Sequence, residues 1–151
     1  MQCVSRRDAI RGFALLTAAA AVATASRPTA AKNPPLAIQG YDPVAYFTDG
    51  RPVRGLPELE YEWDEHRYHF ASLEHRELFK ADPARYAPQF ADFCAMALSQ
   101  GELVVADPQN WLINDGKLYI FGKHEGPELF RRNLPGNIAK ANQNRALIQK
   151  P

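Results

Sequence analysis

Short stretches of period-two and helical patterning alternate along the chain from about residue 38. Leu59-Glu60-Tyr61-Glu62-Trp63-Asp64 switches between apolar and acidic side chains at every step, the period of a strand with one buried face. Glu65-His66-Arg67 then predicts a tight turn, and Tyr68-His69-Phe70-Ala71 its antiparallel return, with Tyr68 and Phe70 on one face and His69 on the other. Ser72 is a suitable N-cap and Glu74 suits the first turn of a helix in which Leu73, Arg76, Glu77 and Lys80 alternate with Leu78 and Phe79. Asp82-Pro83 stops that helix, and Tyr86-Ala87-Pro88 ends the next piece. Residues 90–98 read as a second short apolar helix carrying Cys94 and Met96, closed by Ser99-Gln100-Gly101. Leu103-Val104-Val105 reads as a strand and Asp107-Pro108 as a turn. Trp111-Leu112-Ile113 and Lys117-Leu118-Tyr119-Ile120-Phe121 flank Asn114-Asp115-Gly116, a strong hairpin signal through Asp-Gly. Beyond Gly126-Pro127 the pattern is helical, with a break at Leu134-Pro135-Gly136. A final polar helix over residues 137–149 shows Ile138, Ala141, Arg145 and Ile148 along one side. The expected class is α+β: small antiparallel β-hairpins with short, segregated helices.

The N-terminal stretch does not share this pattern. Ser5-Arg6-Arg7-Asp8-Ala9-Ile10-Arg11 leads into an apolar run over residues 13–25 made mainly of Ala, Leu and Val, too short for a membrane span of about 20 residues. A basic front, a short apolar run and an Ala23-Thr24-Ala25 exit predict a secretory signal, and the adjacent Arg6-Arg7 points to the twin-arginine type. Ala30 and Ala31 are later cleavage alternatives. Residues 26–36 contain Pro28 and the pair Pro34-Pro35 among small residues and read as a linker. The expected organisation is a signal and the start of the linker over residues 1–31, linker over 32–38, and one domain over 39–150. The expected address is the bacterial periplasm, with no membrane span after signal cleavage.

Composition narrows the class further. A chain of 151 residues with 46% hydrophobic, 23% charged and 11% aromatic side chains is one ordinary folded domain. A formal net charge of +1 carries no electrostatic footprint for nucleic acid. Removing residues 1–25 takes away Arg6, Arg7, Arg11, Asp8 and Cys3, which leaves 15 basic and 16 acidic side chains and a single thiol, Cys94. A lone thiol in an oxidising compartment forms no internal disulfide; it is reactive, intermolecular or buried.

Three passages together resemble a YHS domain. They are Tyr41-Asp42-Pro43-Val44-Ala45-Tyr46-Phe47; Tyr68-His69-Phe70-Ala71-Ser72 followed by Phe79-Lys80-Ala81-Asp82-Pro83-Ala84-Arg85-Tyr86; and Asp92-Phe93-Cys94-Ala95. With Asp115-Gly116-Lys117-Leu118-Tyr119 downstream, the resemblance spans roughly residues 39–148 and is closest to exported single-domain members. It implies a small α+β fold related to treble-clef-like metal-binding modules. In metal-sensing and metal-transport relatives three cysteines fall where this chain has Ala45, Ala71 and His75, so two of three thiolates are absent. One imidazole cannot hold a structural zinc. Exported relatives carry two glycines where this chain has Ala91 and Asp92.

The candidate chemistry follows. Cys94 is either a thiolate ligand or redox thiol near a helix start, or a small buried hydrophobe between Phe93 and Met96. His69 and His75 flank the Ser72 cap, and Cys94 approaches them if its helix packs on that hairpin; Cys94, His69 and His75 would then suit copper or zinc with an open position. His66 and His124 read as solvated loop groups, and Met96 is the only methionine after the signal. Ser5, Ser26, Ser72 and Ser99 sit in no nucleophile-elbow setting, and no phosphate-cradling glycine loop is present. Tyr41, Tyr46, Phe47, Tyr61, Trp63, Tyr68, Phe70, Tyr86, Phe90 and Phe93 supply the core, and a subset of them is suited to a small-molecule cleft with one polar handle. The expectation is a non-catalytic exported binding protein, taking Cu or Zn through Cys94 and nearby histidine. The alternative is a small-ligand or periplasmic partner-binding module with no metal and a buried structural Cys94.

Overall fold

The computed structural model describes residues 33–148. The expected signal, its Ala23-Thr24-Ala25 exit, Cys3 and residues 26–32 of the linker lie outside the described residues, as do residues 149–151.

The described chain is α+β, with two separate two-stranded antiparallel sheets and short helices between and after them. In the first, β1 (Leu56–Trp63) pairs with β2 (His66–Phe70), placing Tyr61 opposite Tyr68 and Trp63 opposite His66. The turn consists of Asp64 and Glu65 alone, both at positive φ (+47° and +63°), the two-residue geometry that matches the right-handed twist of a hairpin. The expected turn over residues 65–67 is therefore one step too late, and His66 and Arg67 belong to the strand. In the second sheet, β3 (Asp107–Asn114) pairs with β4 (Lys117–Phe121) across Asp115 and Gly116, at φ +50° and +67°. The Asp-Gly signal is realised as expected. The turn expected at Asp107-Pro108 lies inside the start of β3. There the Asp107 carboxylate accepts the Gln109 N–H (2.9 Å) and the register shifts before Trp111. Turn chemistry here makes an irregularity in a strand, not a boundary.

Strand β4 is apolar at every position after Lys117 because each of its faces meets a different core. Leu118 and Ile120 join Ile38, Val44, Tyr46, Tyr68, Phe70, Phe79 and Tyr86 in one cluster. Tyr119 and Phe121 join Phe90, Cys94, Leu98, Leu112, Phe130 and Ala141 in the other. The first cluster is dense in rings: Tyr68 and Phe79 lie 4.7 Å apart by centroids, and Tyr61, Trp63 and Phe70 also pack on Phe79.

The helices are short and punctuated by their caps. Helix α1 spans Ala45–Thr48 and α2 spans Leu73–Ala81, where Ser72 Oγ accepts the His75 N–H (3.1 Å) as its sequence position predicts. Asp82 ends α2 and caps α3 (Pro83–Tyr86) by accepting the Arg85 N–H. The apolar segment expected as a helix over residues 90–98 is helical only in α4 (Ala95–Ser99). Before it, Phe93 bridges to Val105, the Cys94 N–H donates to Val104 (2.7 Å) and the Ala106 N–H donates to Asp92 (2.8 Å). These long-range bonds claim the Cys94 N–H and the Asp92 carbonyl that a longer helix would need, and the expected strand at Leu103-Val104-Val105 reduces to this single bridge. Helices α5 (Gly126–Arg131) and α6 (Leu134–Gln143) follow; Pro135 opens α6 instead of breaking it, since its missing N–H falls in the first turn. A 3-10 turn, Arg145–Leu147, replaces the last part of the long helix expected to residue 149.

Residues 34–38, read from sequence as linker, are part of the folded unit. Arg67 donates its N–H to Pro35 O (2.9 Å) and its Nε–H to Pro34 O (3.0 Å), and Ile38 is buried.

One buried carboxylate ties these pieces together. Asp42 is wholly inaccessible to solvent. Its Oδ1 accepts the Val44 N–H (2.8 Å), and its Oδ2 accepts the Ala71 N–H (2.8 Å) and the His75 Nδ1–H (2.7 Å). The start of α1, the end of β2 and the first turn of α2 are thus held by one side chain. Asp42→Ala leaves these donors buried without an acceptor, so it should lower stability by about 3–5 kcal/mol and the melting temperature by more than about 10 °C; urea and thermal unfolding measure both. Ala91, a non-glycine residue at φ +49°, makes the opposite prediction. Glycine there removes left-handed strain at the expense of unfolded-state entropy, so Ala91→Gly should raise stability by about 0.5–1 kcal/mol in urea unfolding.

Candidate functional site

The three residues expected to share a metal occupy different surroundings. Cys94 caps α4, its Sγ accepting the Ala97 N–H at 3.4 Å, and it is 6% exposed among Phe90, Leu98, Phe121 and Phe130 of the second cluster. It borders a cavity of about 490 Å³ together with Met96, Gln100, Lys123 and Leu129, and no histidine lines that cavity. His69 lies on the back of β2, 8% exposed, with Gly40 packed on its ring and Glu60 Oε2 at 3.9 Å from its Nε2. His75 bonds Asp42 through Nδ1 and faces Thr48 Oγ1 through Nε2 at 3.2 Å. Among the described residues, no three His, Cys, Asp or Glu side chains converge to hold a metal. The structure therefore does not assemble Cys94, His69 and His75 into one centre. The physical reason is the division of the interior: Cys94 packs into the second cluster, whereas His69 and His75 belong to the hairpin and helix of the first. Ala45 and Ala71 offer no ligand atom, so the thiolate pattern of metal-binding YHS domains does not fit this chain. Cys94 is placed as a helix cap and core thiol, the second of its two sequence readings.

The larger cavity lies elsewhere. About 600 Å³ opens between the end of the first hairpin and the stretch after α3, walled by Trp63, Tyr68 and Phe90 with Pro88, Ala91 and Ile148 beside them. The aromatic residues come from three places in the sequence: the last residue of β1, the middle of β2, and the turn before Cys94. Two nitrogen-bearing side chains reach this cleft. His66, expected as a solvated turn residue, sits half-buried in β2; its Nδ1–H donates to Asp64 O (2.8 Å), which turns Nε2 toward Asp92 Oδ2 at 3.9 Å. Arg145, expected along one side of a continuous helix, projects from the final 3-10 turn, stacks its guanidinium 5.0 Å over the Phe90 ring and donates to Asn142 Oδ1. Asp64 and Glu65, the positive-φ turn, form its acidic edge.

Asp92 anchors the wall behind His66. Its Oδ1 accepts the Ile38 N–H at 2.6 Å. Burial is the main influence on its carboxyl and raises its pKa above the usual aspartate value, opposed by the Ile38 amide and by His66. Burial likewise raises the Tyr68 phenol well above the ordinary tyrosine range, with Asp92 and Asp64 adding to it, so Tyr68 stays neutral at physiological pH. The cleft thus offers three aromatic surfaces, one neutral phenol and two nitrogen-bearing groups.

Sequence reasoning named Trp63, Tyr68 and Phe90 among the rings suited to a cleft but did not place Arg145, His66 or Asp92 with them. No local signal joins Arg145 to Phe90 across more than fifty residues. His66 was legible only through the turn length, since a two-residue turn puts it in the strand.

Compared with family models, curated proteins and solved structures, the chain gives no match.

The raised Asp92 pKa has a stability consequence. Its charged form is disfavoured in the folded state relative to the unfolded chain, so it opposes folding above its folded pKa and ceases to do so once both states are protonated. Asp92→Asn keeps an acceptor for Ile38 and removes that charge. The variant should be more stable than the parent at pH 7 in urea unfolding, with the gain shrinking toward zero as pH falls to about 4.

Proposed function

We propose that this chain is a non-catalytic small-ligand-binding module of the exported YHS-like kind, and that its site is the cleft between Trp63, Tyr68 and Phe90. The observation that carries the proposal is that cleft: a cavity of about 600 Å³, walled by rings and fitted with two nitrogen-bearing groups. Ligand sites in small domains combine such apolar walls with a few convergent polar groups. The rings suit a flat, partly apolar body, and the Arg145 guanidinium suits a carboxylate or sulfonate on it, since its planar fork matches two oxygens. Delivery to the periplasm by the twin-arginine route belongs to the same proposal and is supported by Arg6-Arg7 and the apolar run that follows. The resemblance of residues 39–148 to YHS domains supports the domain type. The placement of Cys94 as a cap and core residue favours this reading over a thiolate metal carrier.

Aromatic carboxylates titrated into the purified protein should change the emission of Trp63 saturably. Trp111 is the other tryptophan and sits away from the cleft in β3, so Trp111→Phe should leave the change intact. Phe90→Leu should weaken binding by about tenfold, and Arg145→Gln should weaken anionic ligands more than their neutral amides. Binding that ignores both substitutions removes the proposal, as does the lack of any saturable response across a set of such acids.

A further inference from the structure

A second group of ligand atoms lies outside the cleft, where α1 ends beneath α2. Thr48 closes α1 and Asp49 is its C-cap. His75 Nε2 is 3.2 Å from Thr48 Oγ1 and 3.9 Å from Asp49 Oδ1, and Thr48 Oγ1 is 2.8 Å from that same Oδ1. A triangle with these edges has a circumradius of about 2.0 Å, so one ion fits within about 2.0–2.2 Å of all three atoms, the range of Zn–N and Zn–O bonds. Solvent reaches the site: Thr48 is exposed, and the Asp49 and His75 side chains are 34% and 13% accessible.

The contacts around the triangle show why an ion suits this spot. The Asp42 carboxylate accepts the His75 Nδ1–H at 2.7 Å and so turns Nε2 toward Thr48 and Asp49. Thr48 Oγ1 also lies 3.2 Å from Val44 O. Its single hydroxyl proton goes to one acceptor, so His75 Nε2 and the Asp49 carboxylate, 3.9 Å apart, have room for one cation between them. Asp42 behind His75 is the carboxylate–histidine arrangement that fixes the ring tautomer and strengthens the nitrogen as a donor to metal.

The geometry points to a divalent-cation site at His75 Nε2, Asp49 Oδ1 and Thr48 Oγ1. One imidazole with two oxygen donors and open positions for water is the chemistry of a borderline first-row ion such as Zn²⁺, and a poor match for Mg²⁺, which prefers oxygen alone. The site shares only His75 with the Cys94, His69 and His75 set and uses no sulfur. It stands independently of the aromatic cleft.

The test is calorimetric titration of ZnCl₂ into the metal-free full chain in the presence of excess Mg²⁺. One Zn²⁺ per chain is expected. Asp49→Asn, at an exposed position, should weaken binding by about tenfold or more, and so should His75→Asn, whose amide N–H still reaches Asp42 while the Nε2 donor is gone. Cys94→Ser should bind as the parent does, and the Co²⁺-loaded protein should lack thiolate-to-metal charge transfer. Absence of a stoichiometric site, full binding by Asp49→Asn, or loss of binding in Cys94→Ser overturns the inference. Should His75→Asn fail to fold, Asp49→Asn decides alone.

Discussion

The fold depends on a carboxylate that water never reaches. Asp42 accepts hydrogen bonds from the first turn of α1, from the end of β2 and from the ring of His75 at the start of α2. Three elements separated by up to 33 residues therefore share one acceptor. A buried charge is tolerable only when its lone pairs are occupied, and here each oxygen has at least one close donor. The arrangement is directional, whereas the apolar packing around it is not. The ring cluster around Phe79 supplies the burial; Asp42 fixes which hairpin end meets which helix start.

That constraint also decides where chemistry is found. Fixing α2 against β2 presents His75 toward Thr48 and Asp49, and leaves the opposite end of the hairpin, with Trp63 and His66, to border the aromatic cleft. Strand β4 separates the two cores through its alternate residues, so Cys94 lies in one, and Val44, whose N–H Asp42 accepts, lies in the other. The thiol and the histidines were never going to meet once Cys94 bonded to Val104 and capped α4.

Much of the fold was legible because its signals are local. The alternation through Tyr61 and Trp63, the Ser72 cap, Asp82-Pro83 and Asp115-Gly116 each act within a few residues and appear where the sequence puts them. The failures share a different cause. Residues 90–94 continue the apolar run of α4 and so read as its first turn, but Phe93 and Cys94 are paired with Val105 and Val104, and only Ala91 among the five is a strong helix former. Pro34 and Pro35 look like linker until Arg67 is seen to bond their carbonyls. The sites divide in the same way. Rings suited to a cleft could be named from composition, whereas the stacking of Arg145 on Phe90 and the His75–Thr48–Asp49 triangle exist only in three dimensions.

The central claim is that the ring-lined cleft, and not the space beside Cys94, receives the ligand. Amide chemical-shift mapping of the isotope-labelled protein with a saturating aromatic carboxylate separates the two directly. The account predicts shifts concentrated at Trp63, His66, Tyr68, Phe90, Ala91 and Arg145, with Met96, Ala97 and Lys123 unmoved. Shifts centred on Met96, Ala97 and Lys123, or spread evenly over the surface, would contradict it.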